Sequence, residues 1–191
     1  MIKKYNKYIN EEINWRKLNP FNKNKHYPIH ENSDIDPYGE EDWDIDNLSP
    51  ILQMARNLGK PYDQIIELIC SNKQLTSLEG IENLINLERL YCGNNQLTSL
   101  DGIENLTRLR FISCWDNQIT SLAGTDDGSV GLENLTNLER LYCWNNQLTS
   151  LEGIENLTNL KVLDCRYNRF TEEYKKHIRD YYSHKKIFLS I

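Results

Sequence analysis

No stretch of this chain approaches the ~18 consecutive apolar residues that a membrane-crossing helix requires. The opening MIKKYNKYINEE carries charge but no apolar run behind it, so it does not read as a secretory signal. The expected location is therefore the cytosol, in a soluble chain. Basic excess is also missing: the net charge is −6, whereas a general nucleic-acid binder needs a basic stripe to displace counterions. Histidine is scarce, with only His26, His30, His177 and His184. His26 and His30 have helical spacing for a metal pair, but Pro28 between them argues against a helix. No glycine-rich phosphate loop, H-E-x-x-H or G-x-S-x-G occurs. No enzymatic activity, cofactor or metal is expected from what remains.

One acidic segment tests that last statement. Residues 31–46 hold eight acids and no base. Asp34, Asp36, Gly39, Glu40 and Asp42 fall at positions 1, 3, 6, 7 and 9 of a calcium loop of the EF-hand kind. Tyr38 stands at position 5, however, and Ile45 at position 12, where a bidentate Glu belongs. The segment reads as a solvated acidic loop.

What the chain has in quantity is repetition. LERLYCGNNQLTSLDGIENLTR (87–108) and LERLYCWNNQLTSLEGIENLTN (138–159) agree at every apolar position. Five such units start at Ile65, Leu87, Leu109, Leu138 and Leu160, in steps of 22, 22, 29 and 22 residues. A fixed period of this length means one small unit stacked on copies of itself, a solenoid and not a globular core with a cleft. Within LERLYC, Leu90 and Cys92 alternate with Arg89 and Tyr91, the period of a strand with one face inward. The sixth residue of each unit is a cysteine: Cys70, Cys92, Cys114, Cys143 and Cys165. In neighbouring parallel strands these side chains point the same way, ~4.8 Å apart, whereas a disulfide draws two Cβ atoms together to ~3.8 Å. A column of reduced, buried thiols is expected, and a linear ladder offers no converging metal site. Asn95, Asn117, Asn146 and Asn168 recur just after the strand, where an amide side chain can satisfy backbone groups at a turn; Lys73 breaks the rule in the first unit. Gly80, Gly102 and Gly153 before Ile-Glu-Asn-Leu mark a turn and a short 3₁₀-like return on the far side.

The unit L-x-x-L-x-C-x-x-N-x-L-x-x-L followed by G-I-E-N-L-T-N resembles the leucine-rich repeat over 65–170, and its 22-residue period is similar to the bacterial internalin-like class. That resemblance implies a solenoid with a short parallel β-sheet on its concave face and a non-enzymatic role in binding a protein partner. Caps are expected at both ends of the apolar column. At the C-terminal end (171–191), Thr171, Glu172 and Glu173 start a helix with Tyr174, Ile178 and Tyr181 on its inner side, followed by the apolar IFLSI. At the N-terminal end (1–64), one helix is expected over 2–14 and a second from Ser49 as N-cap through Pro50 to Gly59, with the acidic loop between. The third unit carries seven extra residues, 125–131, placed so that they bulge on the return side and leave strand register intact. The opening MIKKYNKYINEEINW is similar to short amino-terminal stretches of large-bacteriophage proteins. It implies an alternative: a structural subunit of a larger, virion-associated assembly, attached through the N-terminal region.

The strand pattern lays three columns of side chains across the concave face. The first reads Glu67, Arg89, Phe111, Arg140, Val162; the second Ile69, Tyr91, Ser113, Tyr142, Asp164; the third Ser71, Gly93, Trp115, Trp144, Arg166. These positions face solvent, and solvated strand faces are normally polar. Tyr91, Phe111, Trp115, Tyr142 and Trp144 therefore form a candidate partner-binding cluster, with Arg89, Arg140 and Arg166 expected to orient an acidic surface. The competing account is that the aromatics stack along the sheet only to stabilise it.

Overall fold

The computed structural model describes residues 48–124 and 131–191. Leu48–Ile191 form one compact unit. The expected helix over 2–14, the acidic loop 31–46 with its EF-hand-like spacing, the phage-like opening and the expected bulge of the insertion (125–131, of which only residue 131 is described) lie outside the described residues.

The unit opens with helix α1 (Pro50–Asn57), in which Ser49 caps the N-terminus through Leu52 N–H and Pro50 takes the first turn. Ile51, Leu52 and Ala55 are buried under the first repeat. Strands β1 (Glu67–Ile69), β2 (Arg89–Tyr91), β3 (Phe111–Ser113), β4 (Arg140–Tyr142) and β5 (Val162–Asp164) follow, one per repeat. Helix α2 (Glu172–Tyr182) and a last strand β6 (Phe188–Ser190) complete it. All six strands are parallel, in the order β1-β2-β3-β4-β5-β6. Behind them the repeat leucines and isoleucines form one buried column, with Leu68, Leu90, Ile112, Leu141 and Leu163 at the strand centres.

Each return stroke is fixed by a short device built into G-I-E. Gly80, Gly102 and Gly153 have φ of 94, 98 and 96°, a left-handed conformation that glycine adopts without steric cost. The glutamate two residues on accepts the glycine N–H, at 3.0 Å for Glu82, 2.8 Å for Glu104 and 2.8 Å for Glu155. In the third unit the same bond spans the insertion: Gly124 N–H donates to Glu133 at 3.0 Å. The extra residues enter between the glycine and its glutamate, and register continues unbroken, with Phe111 opposite Arg140.

Two ladders tie the repeats together. The five cysteines are free and buried. Burial pushes the thiols of Cys70, Cys114 and Cys165 up to about 12, and those of Cys92 and Cys143 well above their ordinary value. The asparagines are more demanding. Asn146 donates to the carbonyls of Cys114 (3.0 Å) and Cys143 (3.1 Å) and accepts from Ile119 N–H (3.0 Å). Asn95, Asn117 and Asn168 do the same in their own units. Every ladder asparagine thus serves its own repeat and the one before it. The Lys73 exception follows directly: unit one has no earlier repeat to serve, and Lys73 N–H is itself satisfied by Asn95 at 2.9 Å.

The residue before each ladder position takes positive φ: Asn72, Asn94, Asp116, Asn145 and Tyr167, at 53 to 60°. Asn and Asp tolerate this conformation well; Tyr does not. Tyr167, 74 % exposed, is the strained member of the series.

The C-terminal cap departs from expectation twice. Thr171 caps α2 through Tyr174 N–H, as expected, but the buried face holds Ile178 and Tyr182, not Tyr181. The face is centred on the i, i+4 pair Ile178 and Tyr182, which leaves Tyr181 42 % exposed and edge-on against Tyr182. IFLSI is also more than a closing apolar segment. It pairs Phe188, Leu189 and Ser190 with Val162, Leu163 and Asp164, repeating the strand of a sixth unit.

Removing the Asn146 amide strands two carbonyls and one N–H in a buried site, so Asn146→Ala should cost about 3 kcal/mol in urea unfolding. A cost below about 1 kcal/mol would mean water replaces the amide there. The thiols make a second prediction. Their pKa is raised in the fold, so the unfolded chain releases protons first, from about 8.5 upward. Stability should be fully present below that pH and decline toward pH 12, by up to about 1.4 kcal/mol per pH unit for each thiol. A Cys92→Ala/Cys143→Ala variant should decline less steeply; equal slopes would mean the thiols are not the cause.

Candidate functional site

The solvent side of the sheet is where the repeats carry aromatic side chains and differ from one another by whole aromatic rings. Strand register carries the first column through Glu67, Arg89, Phe111, Arg140, Val162 and Phe188, and the second through Ile69, Tyr91, Ser113, Tyr142, Asp164 and Ser190. The strands that bring these side chains together are held by the leucines and cysteines on the opposite face, because alternate residues point to opposite sides.

The five aromatics fall into two groups. Tyr91, Phe111 and Tyr142 form a chain, with ring centroids 4.7 and 5.5 Å apart and tilted planes. Trp115 and Trp144 stack face to face at 5.0 Å, with 7° between their planes. All five are half-buried. Trp115 has a specific seat. A Cβ on Gly93 would come within 2.4 Å of its Nε1, so the indole lies against bare glycine backbone on one side and Trp144 on the other. The second unit has glycine where the fourth has tryptophan, and this difference makes room for the stack.

Not every position on this face is solvated, contrary to the uniform exposure expected from strand alternation. Ser113 and Asp164 are buried, and so is Gly93, because larger neighbours roof them. Two of the three arginines are also already engaged. Arg89 Nε sits 2.6 Å from Glu67, and Arg166 makes a two-pronged pair with Asp164 at 2.9 and 2.7 Å. Each carboxylate raises the pKa of its arginine through that hydrogen bond. Arg140 is different: exposed, and with no ion pair among the described residues.

Two residues belong to the face that the candidate cluster omitted. Ile69 at one end is 65 % exposed and Phe188 at the other is 68 % exposed. Ile69 was visible in its column; Phe188 required seeing IFLSI as a strand.

A family model for leucine-rich repeats, in two copies, matches residues 63–105, 85–126 and 136–173, more than half of the chain. The chain belongs to the leucine-rich repeat family. Among solved structures it is similar to an internalin, InlF, from Listeria monocytogenes. The two share 27% identity and a TM-score of 0.51, over 61% of this chain and 32% of that one. It is also similar to the functional domain of InlJ from Listeria monocytogenes, described as including a cysteine ladder. There the identity is 31% and the TM-score 0.51, over 58% of this chain and 22% of that one. The chain therefore spans a third or less of the length of these internalins. No curated protein matches it. Leucine-rich repeat domains of this kind generally mediate protein–protein interaction and are typically not enzymes.

Gly93→Ala tests the tryptophan seat. The added methyl should displace Trp115 and abolish the Trp–Trp exciton couplet in far-ultraviolet circular dichroism. Unchanged spectra would show that the seat accommodates a side chain.

Proposed function

We propose that this leucine-rich repeat protein is a non-enzymatic binding module. In this reading it holds a protein partner on the sheet face built by Tyr91, Phe111, Trp115, Tyr142 and Trp144. The carrying observation is an aromatic or aliphatic side chain on the solvent side of each of the six strands, with the exposed Ile69 and Phe188 at the two ends. Aromatic stacking adds about 0.5–1.5 kcal/mol per pair to a fold, so stability alone can justify the inner contacts. It does not justify exposed apolar side chains at both ends of the row, which contribute little to the fold and cost solubility. Such residues gain their energy when a partner removes them from water. Buried aromatics at the centre of a patch with a polar rim are where binding energy concentrates. The six strands span ~24 Å, enough for the ~800 Å² that one partner of a standard interface covers.

Affinity capture from the native host lysate, with wild type and Trp115→Ala/Trp144→Ala side by side, tests the reading. The wild type should retain a specific partner, and the double variant should lose at least about 100-fold in affinity for it. The melting temperature of the variant should fall by only a few degrees, from the lost stack. A partner retained equally by both proteins would place binding elsewhere on the chain.

A further inference from the structure

Each strand carries one apolar side chain on the sheet face, in two neighbouring columns: Ile69, Tyr91 and Tyr142 in one, Phe111, Val162 and Phe188 in the other, with the Tyr91, Phe111 and Tyr142 rings in contact across them. Ile69 lies in register beside Tyr91, and Val162 beside Phe188. With strands ~4.8 Å apart, the row is ~24 Å across and steps between two columns ~6.8 Å apart along the strands as it crosses them. The charges beside it are unequal. Arg89 is neutralised by Glu67 and Arg166 by Asp164, while Arg140, registered between Phe111 and Val162, makes no ion pair among the described residues and feels only the adjacent Glu139, whose carboxylate is already held by Arg110 and Lys161.

We propose that the partner segment on this row is a single amphipathic α-helix, about five turns long, with one Asp or Glu facing Arg140. This rests on the reading of the sheet face as the binding surface. Spacing favours the helix. A helix advances ~5.4 Å per turn, close to the ~4.8 Å between strands, so one apolar side chain per turn meets one strand. The same-face residues of an extended segment lie ~6.8 Å apart and lose step after two strands. An extended segment laid flat on an apolar path would also leave its backbone N–H and C=O groups unpaired, whereas a helix satisfies its own. Charge sets the number of acids. A carboxylate opposite Arg140 gains a free guanidinium, but one opposite Arg89 or Arg166 meets Glu67 or Asp164 as well.

The test pans two displayed libraries against the full chain: a three-helix scaffold randomised on one helix face, and unstructured linear peptides. Binders should come from the helical library, with apolar residues at i, i+3 or i+4 and i+7 and one Asp or Glu beside them. Arg140→Ala should weaken a selected binder by about tenfold, and Arg89→Ala by less than about threefold. Arg140→Glu should abolish binding, and replacing the binder's acid with Lys should restore it. Binders found only among linear peptides, lacking an acid, or indifferent to Arg140 would overturn the helix proposal. If those binders still fail on Trp115→Ala/Trp144→Ala, the sheet face survives as the site. Binders from either library that take the double variant as tightly as wild type would overturn the site itself.

Discussion

A repeat of this length cannot bury its own backbone, and the ladder asparagines are what make stacking them feasible. Where each strand ends, the chain turns inward and its carbonyls are sealed off from water by the next repeat. A buried carbonyl without a donor costs 1–3 kcal/mol or so, and each repeat would carry two of them. One asparagine side chain meets both, and with its own oxygen it fixes an N–H of the preceding repeat. Because each bond reaches back one repeat, adjacent strands are locked in register by the same side chain that satisfies them. The column of cysteines can then be small and apolar, with no polar role left to fill. The sheet face inherits a fixed lattice of positions, and its chemistry can vary freely.

That freedom is visible in where the repeats disagree. The inward residues of the second and fourth units are identical; the change from Gly93 to Trp144 falls on the outer face. A glycine in one unit and a tryptophan two strands away cooperate to clamp Trp115 between them. The insertion obeys the same division. It enters between Gly124 and Glu133, whose hydrogen bond closes its base, and strand pairing does not register its presence. Variation is confined to surfaces that the ladders do not need.

Most of this architecture was legible in the sequence, because a period repeated five times exposes which positions matter. The cysteine column and the strand register both follow from aligning the units. Ser49 and Pro50 announced α1 by local chemistry alone. What escaped was outside the period or between its copies. IFLSI stands apart from the aligned units, so only its alternation could have shown that Leu189 takes the place of Leu163. Tyr182 displaced Tyr181 because the burying surface, not the helix, decides where the inner face is centred. The ion pairs of the sheet face were readable in principle: Glu67 and Arg89 occupy the same position one unit apart, and Asp164 and Arg166 lie on one side of one strand. Scoring arginines one by one hid them.

Those pairs change what the face can recognise. Three free arginines would attract any acidic surface, with long-range steering and little discrimination. Two of them held by carboxylates on the same face leave a nearly neutral, apolar row with a single available charge. Attraction then falls off quickly with distance, and affinity must come from shape and from excluding water around the aromatic row. An acidic partner misplaced by one strand gains nothing from Arg89 or Arg166 and meets Glu67 or Asp164. The repeats as a whole, with fourteen acids against eight bases over 65–170, disfavour acidic partners on other approaches. On the proposed reading, a face arranged in this way would select by register along the row, a property that a ladder of fixed, evenly spaced strands can supply.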